Sequence, residues 1–213
     1  MPTERGDQPG PAATRIDPVF LSLPTGRTLL AMTTNPTTTT TLPLAPGTWA
    51  LDPAHSAVNF TIRHLGVSKV RGRFDDFTAT VTIGETIETT SVEAVIQLAS
   101  VNTGQPDRDT HVLAPDMVDV SLRPTLAFRS TGISGAGSEW ELVGDLTIGE
   151  VTNEVTLDVE LGGIQEFPGG PRHAGFEASG QVRRQDFGLM PAIPAAMLGD
   201  VIKIELDLQL LEP

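Results

Sequence analysis

Polar residues able to do acid or base work stand at a few defined points of an otherwise apolar pattern. Asp52, His55 and Ser56 open a long alternating run, Arg108, Asp109 and His111 lie together in a second segment, Asp186 follows Arg183 and Arg184, and Asp200 precedes the last alternating run. Histidine, carboxylate and guanidinium brought together could form a general acid and base with a charge stabiliser. The same residues could equally form a hydrogen-bonded plug, because buried charge must be paired. The plug is the better reading, since no nucleophile and no set of oxyanion donors accompanies the cluster. No GxSxG, HExxH, GxGxxG or phosphate-binding loop occurs, and tyrosine is absent. The histidines at 55, 64, 111 and 173 show no HxH or HxxxH spacing, so a zinc site would have to be assembled wholly by the fold. The expectation is a protein that is not an enzyme and uses no metal and no cofactor.

A second constellation is electrostatic. The run RHLGVSKVRGR carries Arg63, Lys69, Arg71 and Arg73 and no acid, in a chain whose formal net charge is -13. Lys69, Arg71 and Arg73 share strand parity and would project from one face as a cationic strip able to meet an anionic head group. The alternative is a solvated strand face paired with acids across a sheet. At long range the acidic excess, 27 acidic against 14 basic residues, repels polyphosphate and anionic lipid surfaces, so no nucleic-acid partner is expected.

The elements that must position these groups are strands. Val58, Phe60 and Ile62 alternate with polar residues, as do Phe77, Ala79, Val81 and Ile83, then Val92, Ala94, Ile96 and Leu98. Val155 to Leu161 and Ile202 to Leu210 repeat the pattern, and shorter candidates lie at Leu126 to Thr131, Trp140 to Ile148 and Phe176 to Arg184. About eight one-sided strands are too many for an open sheet without exposed edges, so a closed antiparallel barrel is expected. Gly104 to Val120 reads as two short helices split at Pro115, and Ile193 to Leu198 as a single helical turn, all capping a barrel mouth.

With 213 residues, 39% of them apolar, the chain suits one domain of ordinary size. There is no cysteine, hence no disulfide framework or thiolate site. Residues 1–47 read as a disordered Thr/Pro-rich extension, with seven threonines between Thr33 and Thr41, and 48–213 as the folded domain. No secretory segment and no membrane span are read, which points to the cytoplasm, and Met32 is an alternative start to Met1.

The run WALDPAHSAVNFTIRHLGVSKVRGRFDDF, from Trp49 to Phe77, resembles the opening of the YceI-like, polyisoprenoid-binding family of bacterial proteins. RDTHVL at Arg108 to Leu113, PTLAFRS at Pro124 to Ser130, GDLTI and RRQDFGL are similar to later family segments, so the resemblance covers Trp49 to Leu210. Val112, Met117, Val118 and the placement of Gly149 depart from the family pattern and bear on ligand preference more than on fold. The resemblance implies an all-β, eight-stranded, lipocalin-like antiparallel barrel with one or two short capping helices, holding a long-chain isoprenoid such as a polyprenyl phosphate or diphosphate for sequestration or transport. A binder of isoprenoid quinones, fatty acids or fatty amides is the nearest alternative, and a homodimer is carried forward as an assembly to test. Inward parity together with the resemblance makes Val58, Phe60, Ile62, Ile96, Val159, Ile204 and Leu206 the expected tunnel lining. His55, Lys69, Arg71, Arg73, Arg108, Asp109, His111 and Asp186 are the expected head-group or rim residues. A chain of about eight isoprene units would outreach a barrel roughly 25 Å tall, so its tail must bend or emerge.

Overall fold

Alternation of apolar and polar residues sends every second side chain to the same side of a sheet, and the burial of Glu139–Ile148 follows it residue by residue. In this computed structural model, which describes residues 42–213, the segments are β1 (Gly47–Leu51), β2 (Ala57–His64), β3 (Ser68–Phe74), β4 (Phe77–Ile83), β5 (Ser91–Gln97) and β6 (Val101–Asn102). The one α-helix among the described residues, α1 (Pro106–Val112), follows. The chain then continues through β7 (Thr125–Ala136), β8 (Glu139–Ile148), β9 (Val151–Gln165), β10 (His173–Arg183) and β11 (Leu198–Leu211).

The first six segments are three long strands, each interrupted once. β2 pairs with β3 in the same antiparallel sense as β1 with β4, and β6 continues β5 across the edge of β3. Eight strands result, each hydrogen-bonded to its neighbours in chain order. The ring closes because β11 pairs with β2 along Ile202 to Asp207 and with β1 at Leu210 and Leu211. The expected closed barrel is therefore present, and closure removes the edges that eight one-sided strands would otherwise expose. Register shifts at Ser130/Gly132, Gly175/Phe176 and Leu198/Ile202 supply the local bending that closure needs.

Each end of the barrel carries an apolar cluster. At one end Trp49, fully buried, packs with Leu44, Val81, Ile83, Ala174 and Leu210, and its indole N–H donates to the Ala45 carbonyl at 2.9 Å. At the other, Phe187, Leu189 and Met190 meet Met117 and Val118, and the Met190 N–H donates to the Met117 carbonyl at 3.0 Å.

Three expectations change. Of Gly104 to Val120 only Pro106–Val112 is helical; Pro106 at the first turn and Asp107 and Asp109 beside it favour the start. Beyond it the chain makes turns, with Asp119 at φ 55°, a conformation that ends regular helix. Ile193 to Leu198 forms no helix but a turn in which the Met197 and Leu198 N–H groups both donate to the Pro194 carbonyl. Residues 1–41 of the expected 1–47 extension lie outside the described residues, whereas Leu44 is buried and Leu42 packs beside it on the Trp49 cluster. Among the described residues no helix is long and apolar enough to cross a membrane.

Candidate functional site

Between the two end clusters the barrel encloses a cavity of about 280 Å³ whose wall is almost entirely carbon. Aliphatic side chains from every strand contribute, because each strand turns its apolar parity inward. Six of the seven expected lining residues, Val58, Phe60, Ile96, Val159, Ile204 and Leu206, are on that wall. Ile62 has the same parity but lies nearer the β2–β3 turn, flanked by its cross-strand partners Val70 and Ile202, and is buried off the wall. Aromatic rings narrow the space at two glycines. A Cβ on Gly72 would overlap the Phe60 ring, and one on Gly144 would overlap the Phe128 ring. Phe60 also leans on Phe74, with ring centroids 5.4 Å apart.

The polar core of one end is Arg184, which has no exposed surface. Its guanidinium donates to five backbone carbonyls: Gly199 at 3.2 Å, Leu189 at 3.3 Å, Met190 at 2.7 Å, Ile193 at 2.6 Å and Leu198 at 3.1 Å. The connection from β10 to β11 is thereby wrapped around one side chain. The neighbouring Arg183 points outward and pairs with Asp200 at 2.7 Å. Sequence reasoning placed both arginines near Asp186 and gave neither a role. The adjacency RR before QDFGL was the only local signal, and it cannot say which arginine turns inward.

The expected acid and base cluster is not assembled. His55 Nδ1 lies 2.8 Å from Asp52 Oδ2, which also accepts from Gln209 Nε2 at 3.0 Å. That hydrogen bond from His55 is the main reason the Asp52 carboxyl titrates below the ordinary aspartate range; partial desolvation opposes it, and the Ala54 N–H assists. Arg108 and Asp109 belong to a separate network at the start of α1. Arg108 Nε donates to Thr103 Oγ1 at 2.7 Å and its Nη2 to the Thr103 carbonyl at 2.8 Å. Asp109 accepts from the Thr103 N–H at 2.9 Å and from the Thr103 hydroxyl. His111 is exposed on α1, and the two networks share no member. Separation follows from topology: the β1–β2 break lies beside β11, whereas α1 is tied to β6 on the far side of β3. Asp186 is exposed, and its carbonyl accepts from Asn153 Nδ2 at 3.0 Å.

The cationic strip exists but faces away from the cavity. Val70, Gly72 and Phe74 take the inward parity of β3, leaving Lys69, Arg71 and Arg73 exposed on the outer surface, with Arg73 paired to Asp75 at 2.6 Å. Among the described residues no charged side chain lines the cavity.

The YceI-like domain family matches residues 49–210. Protein YceI of Escherichia coli O157:H7 is 37% identical over 150 residues, covering 70% of this chain and 78% of that protein. The crystal structure of Campylobacter jejuni YCEI protein superposes with a TM-score of 0.66 at 28% identity, covering 71% of this chain and 90% of that one. A polyisoprenoid binding domain from Saccharophagus degradans shares the fold, with a TM-score of 0.56 at 14% identity over 79% of this chain and all of that one. The family match over residues 49–210 and the identity to the Escherichia coli protein show that the chain belongs to the YceI-like family.

Proposed function

We propose that the barrel interior takes up the apolar chain of an isoprenoid or similarly slender lipid, and that the protein sequesters or carries that lipid. The observation carrying this reading is an interior cavity with a carbon wall and no charged side chain directed into it among the described residues. The description of the Saccharophagus degradans relative as a polyisoprenoid binding domain supports the same class of ligand.

Magnitudes refine the reading. At about 30 Å³ per heavy atom, a space of 280 Å³ holds on the order of ten chain atoms. Burying ten would contribute between about 3 and 8 kcal/mol, a millimolar to micromolar affinity. A long prenyl chain therefore exceeds this space, and the cavity must widen or the chain emerge on loading. A phosphate or diphosphate head group finds no counter-charge inside, since the donors of Arg184 are taken by carbonyls. The head group therefore stays at the barrel mouth. The same observation gives a neutral-headed quinone or fatty amide equal standing as cargo.

Mass spectrometry of organic extracts from protein purified without detergent, followed by binding of prenols of increasing length, tests the proposal. A co-purifying prenyl-chain lipid and an affinity that rises with length and then levels off are expected. Lipid-free extracts together with no dependence on chain length would overturn it.

A further inference from the structure

The β2–β3 hairpin carries features that a closed lipid barrel does not require. Its turn exposes Leu65 (51%) and Val67 (82%), and Met197 (53%) stands beside them, held by the hydrogen bond from the Leu65 N–H to the Met197 carbonyl at 2.8 Å. Leu65 has φ 54°, a left-handed conformation that suits Gly or Asn far better than a branched apolar residue. The chain thus keeps a large apolar side chain in water at a position where its backbone is strained.

Directly behind this apolar tip lie cations. Arg63 and Lys69 face each other across the hairpin, and Arg71 follows one outward position further along β3. Like charges directly opposed across a ladder destabilise it, and none of the three has a carboxylate partner among the described residues. Asp200, near the start of β11 beside β2, is taken by Arg183.

Charge grades along the same outer face. Far from the tip, Glu139, Glu160, Glu177 and Asp207 form one cross-strand row of exposed carboxylates through β8, β9, β10 and β11. From Ala57, which pairs with Asp207, to Leu65 the strand rises roughly 26 Å at ~3.3 Å per residue. That is more than three times the Debye length of about 8 Å at physiological ionic strength, so this row is screened at the apolar tip; the nearer Glu205, paired with Asn59, stands about 7 Å along the strand from the row of Arg71, which leaves Arg63 and Lys69 as the cations farthest from these acids.

We propose that the β2–β3 tip is a docking surface for an anionic lipid bilayer: Leu65, Val67 and Met197 enter the headgroup layer while Arg63, Lys69 and Arg71 meet the phosphates. Exposed apolar side chains backed by lysine and arginine are how peripheral proteins hold such surfaces, where neither signal alone suffices. The net charge of -13 governs long-range repulsion, whereas the tip acts at contact. The surface does not depend on what the barrel holds.

Flotation of the full chain with vesicles of phosphatidylcholine containing about one third phosphatidylglycerol tests this, with pure phosphatidylcholine vesicles as control. Binding to the anionic vesicles alone, weakened by salt, is expected. An Arg63→Gln/Lys69→Gln/Arg71→Gln variant and a Leu65→Asn/Val67→Ser/Met197→Ser variant should each lower the partition coefficient at least about tenfold. If either triple variant melts early, Val67→Ser and Lys69→Gln singly take its place, each expected to lower binding about threefold. No binding to anionic vesicles at low salt would overturn the proposal, as would binding that the variants leave unchanged. So would equal retention on a soluble polyanion such as heparin that ignores the apolar variant, since that marks an acidic macromolecule and not a bilayer.

Discussion

The ring of Phe60 occupies the space that a side chain on Gly72 would need. The two residues are cross-strand partners on β2 and β3, and any Cβ at 72 would sit inside van der Waals contact with the ring and 3.1 Å from the Thr103 methyl. The pair fixes how far a large aromatic can lie down on the cavity wall. Gly72→Ala is therefore expected to destabilise the barrel by about 1–3 kcal/mol through overpacking. Phe60→Leu combined with it should recover part of that loss. Urea unfolding of the two single variants and the double variant measures the coupling, and strictly additive effects would show that the ring does not sit there.

Arg184→Met should cost more. It removes all five guanidinium hydrogen bonds and leaves buried carbonyls without donors, for a loss of at least about 3 kcal/mol. Arg184→Lys keeps the charge but has fewer donors and no planar fork, so it should fall between the two. Chemical denaturation followed by circular dichroism gives the order; a neutral Arg184→Met would mean the end of the barrel is held otherwise.

Arg108→Ala is expected to be milder, about 1–2 kcal/mol, because the side chain is half-buried and its hydrogen bonds go to Thr103. Asp109→Ala should equal or exceed it, since Asp109 satisfies both the backbone N–H and the hydroxyl of that residue. Thermal melts of the two variants in parallel check the order.

Filling the cavity separates binding from folding. Ala94 is on the wall, and Ala94→Phe should leave the melting temperature unchanged or raised while weakening prenol binding at least about tenfold. Phe60→Arg should abolish the rise of affinity with chain length. Isothermal titration with a prenol series reads both, and an Ala94→Phe protein that binds as tightly as the native chain would place the ligand elsewhere.

Asp52 should titrate below an ordinary aspartate, by carbon-detected NMR of its carboxyl group, and His55→Ala should move its midpoint upward. Its carboxyl is lowered in the folded protein, so its contribution to stability is present above the unfolded aspartate value and is lost as pH falls through the folded one. Acid unfolding of His55→Ala should consequently begin at a slightly higher pH than that of the native protein. An unmoved Asp52 midpoint would show that the His55 contact is not made in solution.

Period-two alternation is a property of neighbours in the chain, which is why Val58, Phe60, Ile204 and Leu206 were legible as an inward set and why their number of strands implied a closed barrel. The run from Trp49 to Phe77 likewise carried the family without any structure. What a residue meets at its depth along the barrel axis is not local. Ile62 has the parity of the lining, but its place near the β2–β3 turn takes it off the wall. Lys69, Arg71 and Arg73 share a face by spacing, yet only β3's place in the closed ring turns that face outward. His55 and Arg108 suggested one cluster because their chemistry is complementary, and pairing of β1–β2 with β11 and of β6 with β3 holds them in separate networks. Arg183 and Arg184 are identical neighbours in the sequence. One pairs with Asp200 at the surface and the other organises the end of the barrel, because the chain between β10 and β11 folds back and aims five carbonyls at a single point.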